Sequence, residues 1–127
     1  SWHSMSISSE EGKAGENLAA AYLAENGYRI VTRNFRCRRG EIDIIAETES
    51  LLVFVEVKER KTGALVSPLE SVTADKQARI LRTASLYLLR HPTSRQPRFD
   101  VIGLTRRENG TYEISHIKNA FGGGSWH

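Results

Sequence analysis

Asp43, Glu56 and Lys58 are the residues of this 127-residue chain whose types and spacing best suit chemistry. They lie in two β-rich segments, Glu41-Ile42-Asp43-Ile44-Ile45-Ala46-Glu47-Thr48 and Leu51-Leu52-Val53-Phe54-Val55-Glu56-Val57-Lys58, separated by Glu49-Ser50. A two-residue connection is the commonest hairpin loop. It pairs Ile42 with Val57, Ile44 with Val55 and Ala46 with Val53 on one apolar face. The other face pairs Ile45 with Phe54, Asp43 with Glu56 and Glu41 with Lys58. Slipping by one residue would oppose Asp43 to Val55 and scramble both faces. Opposed carboxylates on adjacent strands repel, by roughly 3 kcal/mol at about 5 Å and an effective dielectric of about 20. Lys58 offsets part of this. A divalent cation would offset more. Oxygen-only donors favour Mg²⁺ or Mn²⁺, because no thiolate or imidazole cluster for zinc lies nearby. The same residues also suit a surface hairpin with solvated acids and a weak Glu56–Lys58 ion pair.

Other elements must hold this hairpin. Residues 10–26 read as a helix, with Leu18, Ala21, Tyr22 and Glu25 at helical spacing. Ser8 or Ser9 can cap it, Glu11 follows Ser8 by three positions, and Gly27 ends it. Residues 28–35 are β-rich, and 37–40 form a basic turn before the hairpin. Residues 61–67 read as a loop, and Pro68 starts a short turn. A second helix spans about 74–90, with Ile80, Leu81, Ala84, Tyr87 and Leu88 on its apolar side, and His91-Pro92 stops it. Strands at 98–105 and 111–118 flank a turn at Glu108-Asn109-Gly110. Helix, three strands, helix and two strands predict an α/β fold, a mixed sheet flanked by helices.

The length suits one domain with one core. One cysteine, Cys37, rules out an internal disulfide framework and suggests a reducing compartment. No apolar run approaches the roughly 20 residues needed to span a bilayer, so no membrane partner is expected. The N-terminus lacks the order of a secretory signal, and a cytoplasmic location is the expectation. Lys and Arg number 18 against 15 Asp and Glu, a net charge of +3 that permits a nucleic-acid partner without demanding one. Ser-Trp-His stands at both ends, the second copy behind a Gly/Ser spacer. Residues 1–4 and 122–127 therefore read as appended sequence, leaving 5–121 as the domain.

Gly40-Glu41-Ile42-Asp43 followed by Glu56-Val57-Lys58 resembles the core motif of the PD-(D/E)XK nuclease superfamily. The wider string adds Gly15-Glu16, Gly27-Tyr28, Arg33-Asn34-Phe35-Arg36, Lys76 to Arg79, Arg98-Phe99-Asp100-Val101 and Asn119-Ala120-Phe121. Over about residues 10–121 it resembles the YraN-like family of bacterial proteins, themselves similar to archaeal Holliday-junction resolvases. Ile42 stands where the proline of the motif's name would be. The resemblance implies a restriction-endonuclease-like fold, a central mixed β-sheet flanked by helices. It implies Asp43 and Glu56 as metal ligands with the Val57 carbonyl, and Lys58 as the group that orients water and stabilises charge. It also implies Glu16 as a further acidic site residue; the same glutamate equally suits the first turns of a helix for its dipole alone.

The reaction so implied is metal-dependent hydrolysis of DNA phosphodiesters, in branched or structured DNA, leaving a 5′-phosphate and a 3′-hydroxyl. Arg33, Arg36, Arg38 and Arg39 precede the hairpin, while Arg60 and Lys61 leave it at the same end. These cations can contact phosphates by charge without reading sequence, or simply form a solvated loop. Lys76 and Arg79 on the second helix are further phosphate-contact candidates. Asp100 reads as a strand residue with a local partner, and His91 and His116 as isolated structural or surface residues. Cys37 has no catalytic set around it. A non-catalytic nucleic-acid-binding protein and a ribonuclease are the alternatives. Symmetric cutting of a four-way junction would call for a homodimer.

Overall fold

A computed structural model describes the backbone of residues 2–122 and the side chains of residues 13–122. The repeated Ser-Trp-His side chains lie outside the described residues. The elements are α1 (Trp2–Glu25), β1 (Arg29–Cys37), β2 (Gly40–Glu47), β3 (Leu51–Lys61), α2 (Ala74–Arg90), β4 (Gln96–Arg106) and β5 (Tyr112–Ile117), in the predicted order. The strands form one sheet ordered β1-β2-β3-β4-β5. The β3–β4 pair is parallel and the other three are antiparallel. The sheet is therefore mixed, and α2 supplies the crossover that a parallel pair requires. This is an α/β fold compatible with the restriction-endonuclease-like arrangement. Among the described residues no helix is long and apolar enough to cross a membrane.

Each face of the sheet buries its own apolar cluster. Ile45, Phe54, Ile80, Ala84, Tyr87 and Phe99 meet on the α2 face. Ala19, Leu23, Ile44, Val53, Val55 and Ile102 meet on the α1 face. Helix α1 begins at Trp2, earlier than expected, so Ser8 and Ser9 fall inside it. Its buried stripe is Gly15, Ala19 and Leu23, while Leu18 and Ala21 of the expected stripe are exposed. Small residues win here because they let the helix backbone approach the sheet. A Cβ on Gly15 would stand 3.3 Å from Leu104. Gly27 closes the helix at φ 90°, with the Tyr28 N–H bonded to the Leu23 carbonyl and the Gly27 N–H to that of Ala24.

Helix α2 follows its prediction. Thr73 caps it, its hydroxyl accepting the Lys76 N–H at 3.2 Å, and the His91 N–H closes on the Tyr87 carbonyl. Thr83 is fully buried beside the expected apolar residues, its hydroxyl bonded to the Arg79 carbonyl at 2.8 Å. Gly40 sits directly under it: a Cβ there would lie 2.9 Å from the Thr83 hydroxyl. Only a glycine allows α2 to ride this close to the start of β2.

The hairpin register is the one the turn length implies, with Ile44 on Val55, Ile45 on Phe54 and Ala46 on Val53. The ladder stops at Ile44, so Asp43 and Glu56 are not a ladder pair. Ile42 was expected beside Ile44 and Ala46 but packs in the α2 cluster. Its neighbour on β1 is Phe35, which also turns to α2 and meets Tyr87 edge-on at 5.1 Å. Asn34, at φ 54°, lies between Arg33 and Phe35 on β1.

Candidate functional site

Asp43, Glu56, Lys58 and Lys76 come together where the β2–β3 ladder ends. Phe54, Glu56 and Lys58 alternate along β3 onto the α2 face, as strand periodicity requires. Glu56 is only 4% exposed. Two ammonium groups reach its carboxylate: Lys76 Nζ at 3.0 Å from the first turn of α2, and Lys58 Nζ at 3.7 Å. Asp43 Oδ2 accepts the backbone N–H of Val57 at 2.8 Å. Gly40, Glu41, Asp43, Glu56, Lys76, Arg79 and Ile80 line a cavity of about 140 Å³.

The electrostatics of this cavity are those of too much negative charge in too little water. Burial pushes the Asp43 carboxyl up to about 8, and the charge of Glu56 and a hydrogen bond to it push the same way. The Val57 N–H pulls against them and Glu16 adds a weaker push. Burial alone would lower the Lys76 ammonium, but its bond to Glu56 and the charges of Glu56 and Asp43 prevail and hold it above its ordinary value. Without another cation, the pair keeps a proton into the neutral range.

Glu16 faces this region from α1 but binds elsewhere. Its carboxylate accepts from Asn34 Nδ2 at 3.1 Å and lies 3.5 Å from the Arg33 guanidinium. Arg33 Nε is buried without a hydrogen-bond partner. Among the described residues no group of three His, Cys, Asp or Glu could hold a metal together. The protein donors available to a cation at Asp43 are therefore that carboxylate, Glu56 and backbone carbonyls such as that of Val57.

The remaining basic residues divide. Arg79 lines the acid cavity beside Lys76. Arg36 pairs with Glu41 at the surface. Arg38 and Arg39 line a different groove with Cys37, Arg82, Leu86 and Leu89. There the Arg39 N–H, with help from the Thr83 hydroxyl, holds the Cys37 thiol below its ordinary value. Arg60 bonds the Val66 carbonyl and Thr105. Lys61 lines a polar groove with Thr62, Thr105 and Arg107. The six hairpin-flanking cations lie toward the end where β2 begins and β3 finishes, as expected, but their side chains meet different partners and grooves there.

A second polar cluster gives Asp100 the local partner expected of it, Arg98, and adds His116, which the sequence left isolated. Asp100 is fully buried and receives Arg98 through two bonds of 2.9 and 2.8 Å, His116 Nε2 at 2.7 Å and the Asn119 N–H at 3.0 Å. Arg98 continues to the Tyr28 hydroxyl at 2.7 Å, and His116 Nδ1 meets the Tyr22 hydroxyl at 3.0 Å. His116 is thus no isolated residue. Burial works to raise the Asp100 carboxyl, but His116, Arg98 and the Asn119 N–H together hold it below its ordinary value. The signal available was Arg98 and Asp100 two apart on one strand face. His91, by contrast, is exposed and lies against the Tyr87 ring, centroids 4.6 Å apart.

One family, described as uncharacterised protein family UPF0102, matches residues 15–104. The span covers Glu16, the hairpin and α2. A UPF0102 protein of Symbiobacterium thermophilum is 47% identical over 116 residues, covering 91% of this chain and 98% of that protein. Another, from Lachnoclostridium phytofermentans, is 50% identical over 113 residues, covering 87% and 92%. A third, from Marinobacter nauticus, is 49% identical over 110 residues, covering 86% and 89%.

Proposed function

The chain belongs to the UPF0102 family, and from its buried acid pair we propose that it is a divalent-metal-dependent endonuclease of the PD-(D/E)XK type, hydrolysing phosphodiester bonds in branched or structured DNA. The observation that carries this reading is the Asp43–Glu56 pair itself. Asp43 and Glu56 line one small cavity, and burial, with the charge of Glu56 added to it, pushes Asp43 up to about 8. A structural role would be served as well by one carboxylate and one lysine. The second acid makes physical sense as a seat for a cation.

The donors fit Mg²⁺ or Mn²⁺. They are all oxygens, and two carboxylates with a backbone carbonyl leave room for water and phosphate oxygens, as Mg²⁺ sites do. Bound there, the cation would neutralise phosphate charge and lower the pKa of its water. The protein's own contributions follow from position. The Val57 N–H fixes the orientation of Asp43. Burial of Glu56 on the central strand β3 keeps its carboxylate in place. Lys58, on the same face as Glu56, holds the attacking water and meets the charge that builds on the phosphoryl oxygens in the transition state. Attack in line by water leaves a 5′-phosphate and a 3′-hydroxyl. Arg79 on the cavity wall, with Lys61 and Arg36 outside it, offers phosphate contacts that do not depend on base sequence. Symmetric cutting of a junction would need two copies of the chain.

The test is cleavage of end-labelled four-way junctions, duplex DNA, single-stranded DNA and RNA, each with Mg²⁺, Mn²⁺ or EDTA. The reading predicts metal-dependent cutting of junctions that EDTA abolishes and Asp43→Asn removes. Binding of DNA without cutting under every metal condition would make the protein a non-catalytic binder. Preferential cutting of RNA would make it a ribonuclease.

A further inference from the structure

Lys76 occupies an odd place for a cation. It sits in the first turn of α2, where its backbone N–H is held by the Thr73 cap. A helix N-terminus carries partial positive charge and disfavours an ammonium. Its side chain nevertheless turns into the acid cavity and makes the shorter of the two ion pairs to Glu56, 3.0 Å against 3.7 Å for Lys58. Glu56, at 4% exposure, would otherwise be a buried charge with little compensation. The two lysines differ in freedom. Lys58 shares a strand with Glu56. Lys76 comes from a different element, and its side chain is 43% exposed against 28% for Lys58.

We propose that Lys76 is a resident counter-cation of the Asp43–Glu56 pair, which an incoming divalent ion must displace. The inference rests on the metal-site reading above. A divalent ion on Glu56 repels the ammonium, and so does the helix terminus behind it. The displaced side chain stays on the cavity wall beside Arg79, where an anionic phosphate becomes its natural partner. Metal binding and the freeing of Lys76 for substrate are one coupled event, and the coupling is reciprocal.

Mn²⁺ titration of the full chain without nucleic acid, by calorimetry, tests this with the parent protein, Lys76→Gln, Lys76→Arg and Lys58→Gln. Lys76→Gln is expected to bind Mn²⁺ on the order of tenfold more tightly than the parent, and Lys76→Arg about as the parent does. Lys58→Gln gains less than Lys76→Gln. A second readout needs no variant. Amine-reactive labelling followed by mass spectrometry should modify Lys76 several-fold faster once Mn²⁺ saturates the parent, and it decides alone should Lys76→Gln not fold. Mn²⁺ binding to the parent with equal or weaker binding to Lys76→Gln, or unchanged Lys76 labelling, overturns the displacement and leaves the metal site standing. No Mn²⁺ binding by any of the proteins overturns the metal site and this inference with it.

Discussion

The Asp43 carboxylate accepts the Val57 N–H at 2.8 Å, the position an unbroken ladder would give to the Ile42 carbonyl. The parity follows from the turn, where the Thr48 N–H bonds the Leu51 carbonyl. Bonded pairs then recur every second residue, at Ala46–Val53, Ile44–Val55 and Ile42–Val57. The ladder ends at Ile44, and a side chain takes over the backbone's bond one step later. Strand β2 can therefore leave β3 without orphaning a buried donor, and the space it opens is the acid cavity.

That arrangement has a pH signature. Asp43 is raised from the ordinary carboxylate value to about 8, so between about pH 4 and pH 8 the folded chain holds a proton that the unfolded chain has lost. Stability should fall as pH rises through this window. Chemical denaturation without divalent ions should show the decline. Asp43→Asn, which keeps an acceptor for Val57, should flatten it. A parent protein equally stable from pH 5 to pH 8 would contradict the shift.

Asp100 predicts the opposite sign. Its carboxyl is held below its ordinary value, so its contribution is complete above about pH 4 and disappears as pH falls through the lower folded value. Asp100→Asn leaves Arg98 without its charged partner and should cost about 3–5 kcal/mol. The check is urea denaturation at neutral pH. A loss under about 1 kcal/mol would mean the network is not the brace its geometry indicates.

Lys58 should matter to turnover far more than to folding. Its side chain is partly exposed and Glu56 retains Lys76. Lys58→Ala is expected to lower the cleavage rate by about 100- to 1,000-fold with only a small change in melting temperature. Single-turnover cleavage under saturating Mg²⁺ measures this, and parent-like rates would remove Lys58 from the mechanism.

Gly103 on β4 tests packing alone. A Cβ there would stand 2.3 Å from Pro68 Cγ and 2.8 Å from the Ser115 hydroxyl. Gly103→Ala must push the 67–72 turn off the sheet, at a cost of about 1–3 kcal/mol. A lowered melting temperature with Mn²⁺ affinity unchanged is the expected pair of results.

Much of this was legible in the residues because local rules agreed with each other. The Glu49-Ser50 turn set the hairpin register, and the apolar spacing with the His91-Pro92 stop marked out α2. The failures share a cause: each depended on a contact between distant segments. Ile42 changes face together with Phe35, its neighbour on another strand. The α1 stripe runs through Gly15 and Ala19 because close approach to the sheet outweighs hydropathy. His116 joins Asp100 only once β5 lies beside β4. As a cation on the second helix Lys76 suggests a phosphate contact, and its bond to Glu56 appears only when α2 docks over β3. Charge runs carry no direction, which is why the basic residues near the hairpin did not foretell the different partners and grooves they meet.

Val55 on β3 stands beside Asp100 on β4, so two buried acids, Glu56 and Asp100, are one register step apart on neighbouring strands. The pleat sends them to opposite sides, and the sheet itself insulates one from the other. Losing a single residue at the head of β4 would turn Asp100 onto the α2 side, into Phe99's place beside Phe54 in the apolar core, and take it away from His116. Changes in chain length should be tolerated in the loop at 62–67 and the turn at 107–111, and lethal between them within the strand.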